Sequence, residues 1–205
     1  MQLMSATKNP SEHHPRQRVP ATERRDALIE AAVREFARGG LHGTPVDRIA
    51  RRVGVAQPYV FSLFANKREL FIAAVERGFE KVAETFSKAA AEFDPAVAPP
   101  ETDVLMAMGM AYVELLSSDR DCLMLQHQSY AACDDDLIRE RVRTLYAGLV
   151  VHVERLSGAE PESIDDFFRY GMWLNVAAAM GVEDLSAGCE WVRAEGVELE
   201  RSASS

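Results

Sequence analysis

The sequence predicts an all-α protein, and three observations lead to that fold class. Apolar residues recur at the 3.6-residue spacing of helices through most of residues 22–180. No stretch shows the apolar–polar alternation that is typical of half-buried strands. Glycines, prolines and capping residues separate the periodic segments, as they do between consecutive helices.

The first predicted elements are a tail and a long helix. Residues 1–20 are rich in proline and polar side chains and lack periodicity, which predicts disorder. A helix is predicted for residues 22–38, with Gly39-Gly40 as its end. Its apolar face comprises Ala27, Leu28, Ala31, Ala32, Phe36 and Ala37.

Two short helices joined by a glycine follow. Thr44 is expected to cap the second helix, with Pro45 at its first position and Asp47 three residues after the cap. Gly54 then makes the turn into a third helix at residues 57–64. Two short helices across a tight glycine turn form a helix-turn-helix, which lays its second helix in the major groove of DNA.

Longer helices account for the remaining chain. Asn66 and Glu69 form a capping-box pattern that opens a fourth helix ending near Phe93, after which the proline-rich residues 94–100 make a break. The acidic triplet 134–136 suits a helix N-terminus, because carboxylates complement the helix dipole. Further helices are predicted at residues 101–116, 121–132, 134–156 and 161–180, before a short segment at 189–194.

Composition and charge narrow the class of function. The chain has 205 residues, of which 47% are apolar, enough for one or two packed domains. No apolar run reaches the roughly 18 residues of a membrane span, and residues 1–20 lack the apolar stretch of a signal peptide. An odd number of cysteines without paired spacing predicts buried thiols in a reducing cytoplasm: Cys122, Cys133 and Cys189.

The charge is divided unevenly along the chain. Residues 16–68 have a net charge of +6, whereas residues 69–205 have a net charge of −15. A basic N-terminal part can attract nucleic acid, which the acidic remainder repels. Because an acidic region can also simply aid solubility, this asymmetry alone indicates nucleic-acid binding only weakly.

The third helix has a core face and an exposed face. At about 100° per residue, Val60 and Phe64 point together toward the core, with Phe61 beside them. Gln57 leads the opposite side, where its amide can bond adenine bidentately. The rest of this side comprises Pro58, Tyr59 and Ser62, with Leu63 on its flank.

Residues 22–72, about a quarter of the chain, resemble the DNA-binding domain of the TetR family of bacterial transcriptional regulators. The matching residues, at the family's spacing, are Phe36, Gly43, Thr44, Ile49, Ala50, Gly54, Val55, Phe61, Phe64, Lys67 and Leu70. The remaining helices agree in number and length with the family's ligand-binding and dimerisation domain.

The resemblance implies DNA contacts residue by residue. Thr44 matches a helix cap that touches phosphate, and Lys67 matches a phosphate-binding lysine. The base-reading positions are Gln57, Pro58 and Tyr59. Ala56, Phe61 and Leu63 stand where the family commonly has polar residues. The residues expected to anchor more of the DNA backbone are therefore Arg48, Arg51, Arg52, Thr44, Ser62 and Lys67. The candidate DNA-binding residues are Thr44, Arg48, Arg51, Arg52, Gln57, Pro58, Tyr59, Phe61, Ser62, Leu63 and Lys67.

The resemblance also implies a homodimeric repressor. Two recognition helices would bind a palindromic operator in double-stranded DNA, and a small-molecule effector would release it. The implied domains are a tail at residues 1–20, a DNA-binding domain at 21–68 and an effector-binding and dimerisation domain at 69–200. We expect a cytoplasmic protein, associated with the bacterial nucleoid when bound to DNA.

Effector and dimer residues are predicted from helix composition. Methionine adapts to varied apolar ligands, and a pocket needs few polar groups, so an apolar or aromatic effector is expected. The effector candidates, each of which also fits an ordinary core position, are Met106, Met110, Tyr112, Met124, Gln126, His127, Tyr130 and Trp173. The helix at 161–180 is apolar on more than one face, as a helix at a dimer interface is, or as one wholly buried in a single chain would be. Its interface candidates are Phe168, Gly171, Met172, Asn175, Ala178 and Ala179.

Enzymatic function is not indicated by the sequence. It has no glycine-rich phosphate loop, nucleophile elbow, HExxH motif or Cys-His metal spacing. No catalytic residue, cofactor or metal site is therefore predicted. The alternative to a repressor is a helical binding or scaffold protein with little specific DNA affinity, which the departures at Ala56, Phe61 and Leu63 would allow.

Overall fold

The described part of the chain, residues 20–100 and 102–181 of a computed structural model, is built from eight helices. The predicted tail and the segment at 189–194 with Cys189 lie outside the described residues. The helices are α1 (Ala21–Gly43), α2 (Val46–Val53), α3 (Gln57–Leu63), α4 (Lys67–Glu92), α5 (Val104–Ser118), α6 (Arg120–Ala131), α7 (Asp136–Ser157) and α8 (Pro161–Met180).

Helix α1 contains the predicted stop as an internal kink. Gly40 has a φ of 60° and ψ of −174°, which breaks the helical path. A Cβ at this position would lie 2.4 Å from Oε1 of Gln128 on α6, so both the conformation and the close approach require glycine. The helix therefore ends in effect where the sequence predicted, and a short turn leads to α2.

The first three helices and the start of α4 enclose one apolar core. Phe36 and Phe71 meet edge to face with ring centroids 5.0 Å apart. Ile49 of α2 and Val60 of α3 are completely buried against them. Burial of the predicted core face of α3 turns its other face outward.

Local chemistry sets several helix ends as predicted. Asn66 accepts a hydrogen bond from the Glu69 amide at 2.9 Å and opens α4. Asp135 accepts from the Leu137 and Ile138 amides at the start of α7. Gly54 and Gly158 adopt the left-handed conformation that ends α2 and α7.

Helix α4 links the first helices to the C-terminal ones. It packs against α1, α5 and α7, while α6 packs against α1. It runs unbroken across the predicted domain boundary between residues 68 and 69. Among the helices described, none combines the length and apolar character needed to cross a bilayer.

Candidate nucleic-acid interface and ligand cavity

Helix α3 presents a small exposed face. Gln57, Pro58, Phe61 and Ser62 together line a shallow, open depression on the surface. Val60 on the opposite side is fully buried, which fixes the rotation of the helix. Four of the predicted DNA-facing residues are thus placed together and accessible to a partner.

Two other predicted residues of α3 are partly covered. Tyr59 is half-buried, with the Arg24 guanidinium 5.9 Å from its ring centroid. Leu63 is half-buried against the apolar core. The Ser62 hydroxyl donates to the Tyr59 carbonyl at 2.7 Å, so its proton is already engaged within the helix.

Thr44 does not have the predicted capping role. Its side chain is buried, and its hydroxyl donates to the Glu35 carbonyl at 3.0 Å instead of capping α2, whose N-cap is Pro45. A Cβ at residue 39 would lie 2.7 Å from Thr44 Oγ1, so Gly39 permits this close approach. The predicted cap is therefore wrong, whereas the phosphate contact stays a prediction that would require the Thr44 hydroxyl to leave the Glu35 carbonyl. Asp47 is likewise no capping partner, because it pairs with Arg51.

Glu35, which is not among the predicted site residues, differs in its contacts with the three arginines of α2. Its side chain is only 2% exposed and accepts from Arg52 Nε at 2.9 Å, with an Arg48 nitrogen 3.6 Å away. Arg51 instead pairs with Asp47 at 2.8 Å and is 72% exposed. Arg52 thus neutralises a buried carboxylate. Arg51 lies at the surface, and Arg48 is more than half exposed.

Lys67 lies at the first turn of α4. Its Nζ donates to the His42 carbonyl at 3.2 Å, and partial burial lowers the pKa of its ammonium group. This contact ties the start of α4 to the end of α1. Two further basic residues lie beside α3: Arg24, over Tyr59, and Arg25, whose guanidinium is 4.9 Å from the Phe64 ring centroid. Before the fold is known, these two arginines count only toward the net charge of residues 16–68. Nothing in the residue spacing predicts that the first turn of α1 lies against α3.

A cavity of about 60 Å³ lies between α4, α5, α6, α7 and α8. Three effector candidates line it: Tyr112, Gln126 and Tyr130. The other lining residues are Phe79, Val82, Phe86, Gly109, Tyr146, Leu149, Phe167, Phe168, Tyr170, Gly171, Met172, Leu174 and Asn175. Most of these come from α8 and α4.

The other effector candidates do not line this cavity, and their predicted role stays a prediction. Met106, Met110 and Trp173 are exposed, and Met110 borders a surface groove beside α5. Met124 packs against the core without reaching the cavity. His127 contacts the backbone carbonyl of Asn175 through Nε2 at 3.1 Å.

A polar triangle lies at the cavity wall. The Tyr112 hydroxyl is 2.6 Å from Oδ1 of Asn175 and 3.0 Å from Oε1 of Gln126, and Asn175 Nδ2 donates to that Oε1 at 3.1 Å. Burial raises the pKa of Tyr112 to about 12, so the hydroxyl keeps its proton at neutral pH. Burial also raises the pKa of Tyr130. The nearby Cys122 is a buried thiol, as predicted, and burial raises its pKa to about 11.

The outer face of α8 differs from the predicted interface. Asn175 and Ala178 are buried in the chain's own core, so their assignment to a dimer surface is wrong. Phe168, Gly171 and Ala179 are half-buried, and Met172 is exposed. The exposed apolar stripe is instead formed by Tyr170, Met172, Trp173, Val176 and Met180.

Comparison with known proteins agrees with this architecture. Residues 28–74 match the family model described as bacterial regulatory proteins, tetR family. A solved TetR-family member from Streptomyces coelicolor superposes with a TM-score of 0.63 at 22% identity, covering 84% of this chain and 95% of that one. The fatty acid degradation regulator FadR from Bacillus halodurans gives a TM-score of 0.58 at 17% identity, covering 83% and 86%.

Curated relatives match over the helix-turn-helix region. The HTH-type transcriptional activator FasR of Mycolicibacterium smegmatis is 40% identical over 60 residues, which are 29% of this chain and 27% of that protein. An HTH-type transcriptional repressor of Streptomyces coelicolor is 40% identical over 50 residues, which are 24% and 26%. The chain thus spans about a quarter of the length of the curated relatives that it matches.

Residues 28–74 thus match the tetR family model, and the described helices share the fold of solved TetR-family proteins.

Proposed function

We propose that this protein is a DNA-binding transcriptional regulator: a cytoplasmic, homodimeric repressor that binds a palindromic operator and is released by a small apolar or aromatic effector. One observation carries the proposal: α4 holds Lys67 at its first turn and Phe79, Val82 and Phe86 at the cavity wall. A ligand that moves this helix at the cavity would move the start of α4 relative to α3.

The DNA-facing surface supports operator binding by three groups. Gln57 and Pro58 are exposed at the leading end of α3, where side chains reach base edges in the major groove. Arg51 is the most accessible charge of α2. Since the two engaged hydroxyls of Thr44 and Ser62 offer no proton, we assign backbone anchoring to cationic side chains and to main-chain amides.

The exposed stripe on α8 supports dimerisation through that helix. Tyr170 and Trp173 stack with ring centroids 5.9 Å apart, and Val176 and Met180 continue the stripe. A run of large apolar side chains on one helix face is the surface that a symmetric partner would cover. Two copies related by a two-fold axis would place two recognition helices for a palindromic operator.

The DNA test is a comparison of two variants. Gln57→Ala should relax sequence preference, losing about 1–3 kcal/mol of discrimination at one base pair, because it removes a base-edge contact. Lys67→Ala should weaken binding to all sequences alike, because it removes a charge. Fragments selected from the protein's own genome supply the operator, and fluorescence anisotropy against operator and scrambled DNA measures both effects. If Gln57→Ala weakened binding to all sequences alike and Lys67→Ala relaxed sequence preference, the roles proposed for Gln57 and Lys67 would be refuted.

Repression and its alternative are tested by transcription and salt. One curated relative is an activator and the other a repressor, so the direction of regulation has to be measured. If the protein is a repressor, transcription in vitro from the selected promoter must fall when the protein is added. Operator affinity must also decrease steeply with salt. A helical binding protein without specific DNA affinity would instead show no preference for any fragment, even at low salt.

A further inference from the structure

Among the residues that the structure describes, none that lines the cavity carries a charge. The polar lining residues are all neutral: Tyr112, Gln126, Tyr130, Tyr146, Tyr170 and Asn175. Nearby cations of α6 and α8 are engaged elsewhere, since Arg120 donates to the Ala178 and Ala179 carbonyls and Arg169 pairs with Asp165 and Asp166. A carboxylate or phosphate ligand would lose its hydration here without gaining a counter-charge.

The polar triangle lacks a proton at one contact. The hydroxyl of Tyr112 has a single proton, and the shorter contact, to Asn175 Oδ1, takes it. The Tyr112 oxygen and Gln126 Oε1, 3.0 Å apart, then both keep lone pairs that can accept from a further donor. A ligand that donates one hydrogen bond would satisfy these oxygens, whereas a ligand with only acceptors would not.

We propose that the cavity binds an uncharged, ring-sized apolar molecule carrying one N–H or O–H donor, and that it discriminates against carboxylates of the same size. The inference rests on the proposed function, in which this cavity is the effector site. A dry cavity of about 150 Å³ is known to accept a benzene ring, so the present 60 Å³ must widen on binding. The widening would push α5 and α8 apart, because Gly109 faces Phe167 and Gly171 faces Tyr112 across their contact.

Calorimetry on the full-length protein with four probes tests the ligand class. Indole is neutral and carries an N–H, and benzofuran has the same shape with an acceptor oxygen instead. Phenol is a neutral O–H donor, whereas benzoate is a charged acceptor without a donor. We expect indole to bind at least fivefold more tightly than benzofuran, and phenol at least tenfold more tightly than benzoate. Equal or tighter binding of benzoate, or no binding of either neutral donor at millimolar concentration, would overturn the proposal.

Two glycine variants locate the binding site. In Gly171→Ala the new methyl would lie 4.0 Å from a Tyr112 ring carbon, an ordinary contact that permits folding, yet it would occupy space at the cavity wall. Gly148→Ala on α7 is the matched control, since a Cβ there meets nothing within 4 Å. Indole affinity should fall at least fivefold in the first variant and stay unchanged in the second. Equal indole affinity in both variants would place the site elsewhere.

Operator binding separates this inference from the proposed function. If indole binds with the expected selectivity but leaves operator affinity unchanged, the neutral ligand site stands and the effector role fails. If operator affinity falls with benzoate and not with indole, the proposed response stands and the ligand class is wrong.

Discussion

At the scale of single residues, Glu35 organises the start of the helix-turn-helix. Its carbonyl accepts from Thr44, and its buried carboxylate is paired with Arg52. The sequence contained a signal for this, because residue 35 follows Leu28 by seven positions and so interrupts the apolar face of α1. The identity of its partner could not be predicted, since Arg52 lies seventeen residues away on another helix.

The buried pair should contribute measurably to stability. Glu35→Gln leaves Arg52 without a charged partner, and we expect a loss of about 1–3 kcal/mol in the free energy of unfolding, measured by urea denaturation. Asp47→Asn removes the partner of exposed Arg51 and is the matched control, with an expected loss below about 1 kcal/mol. Equal losses in the two variants would mean that the buried Glu35–Arg52 pair contributes no more to the free energy of unfolding than the exposed Asp47–Arg51 pair.

The same geometry separates two neighbouring arginines in DNA binding. Arg51→Ala should reduce the slope of log affinity against log salt by about 0.9 for each DNA phosphate that the arginine neutralises. Arg52→Ala should lower thermal stability and leave that slope unchanged at a temperature where the protein is folded. Anisotropy titrations at several salt concentrations measure both slopes, and a larger change for Arg52 would reverse the assignment.

At the scale of helices, the sequence predicts where a helix begins and ends more accurately than which of its side chains are buried. Asn66, Asp135 and Gly158 act through their immediate neighbours, so local chemistry identified them. Thr44 had the same local chemistry, but the close approach at Gly39 offered its hydroxyl the Glu35 carbonyl instead. Such tertiary competition is invisible in a local pattern.

Helix α8 shows the limit of periodicity for the predicted sites. Asn175 is polar yet buried with Tyr112, whereas Trp173 is large and apolar yet 40% exposed. From residue type alone, Asn175 would be expected at the surface and Trp173 in the core. The cavity is equally hard to predict, because it depends on the spacing between five helices rather than on any one of them.

The exposed stripe of α8 should be required for dimer formation. Val176→Glu places a charge where we expect the partner helix and should weaken dimerisation by about 2 kcal/mol or more, as truncation of a central interface side chain does. Met110→Glu on α5 is the control, because Met110 is comparably exposed but lies off the stripe. Sedimentation velocity across a concentration series gives the dissociation constants. An unaffected dimer in the first variant would exclude this face.

At the scale of the whole molecule, two helices connect the cavity to the DNA-binding head, which consists of α1, α2, α3 and the first turn of α4. Helix α4 does so directly, and α6 carries Gln126 at the cavity and Gln128 against Gly40 at the kink of α1. An ion pair of 3.0 Å between Arg68 and Asp135 adds a link from the start of α4 to α7. A displacement of α6 by ligand would therefore reach the head through a packed contact rather than through solvent.

Coupling through α6 can be measured as a ratio of affinities. With indole as the ligand, the factor by which it weakens operator binding must equal the factor by which operator weakens indole binding. Gln128→Ala removes the side chain that packs on Gly40, so this factor should move toward one while indole affinity without DNA stays unchanged. Thr144→Ala, on the exposed side of α7, is the control and should retain the full factor. If Gln128→Ala keeps the wild-type factor, the signal does not pass through the contact of α6 with α1, which leaves α4 and its ion pair with Asp135 as the route.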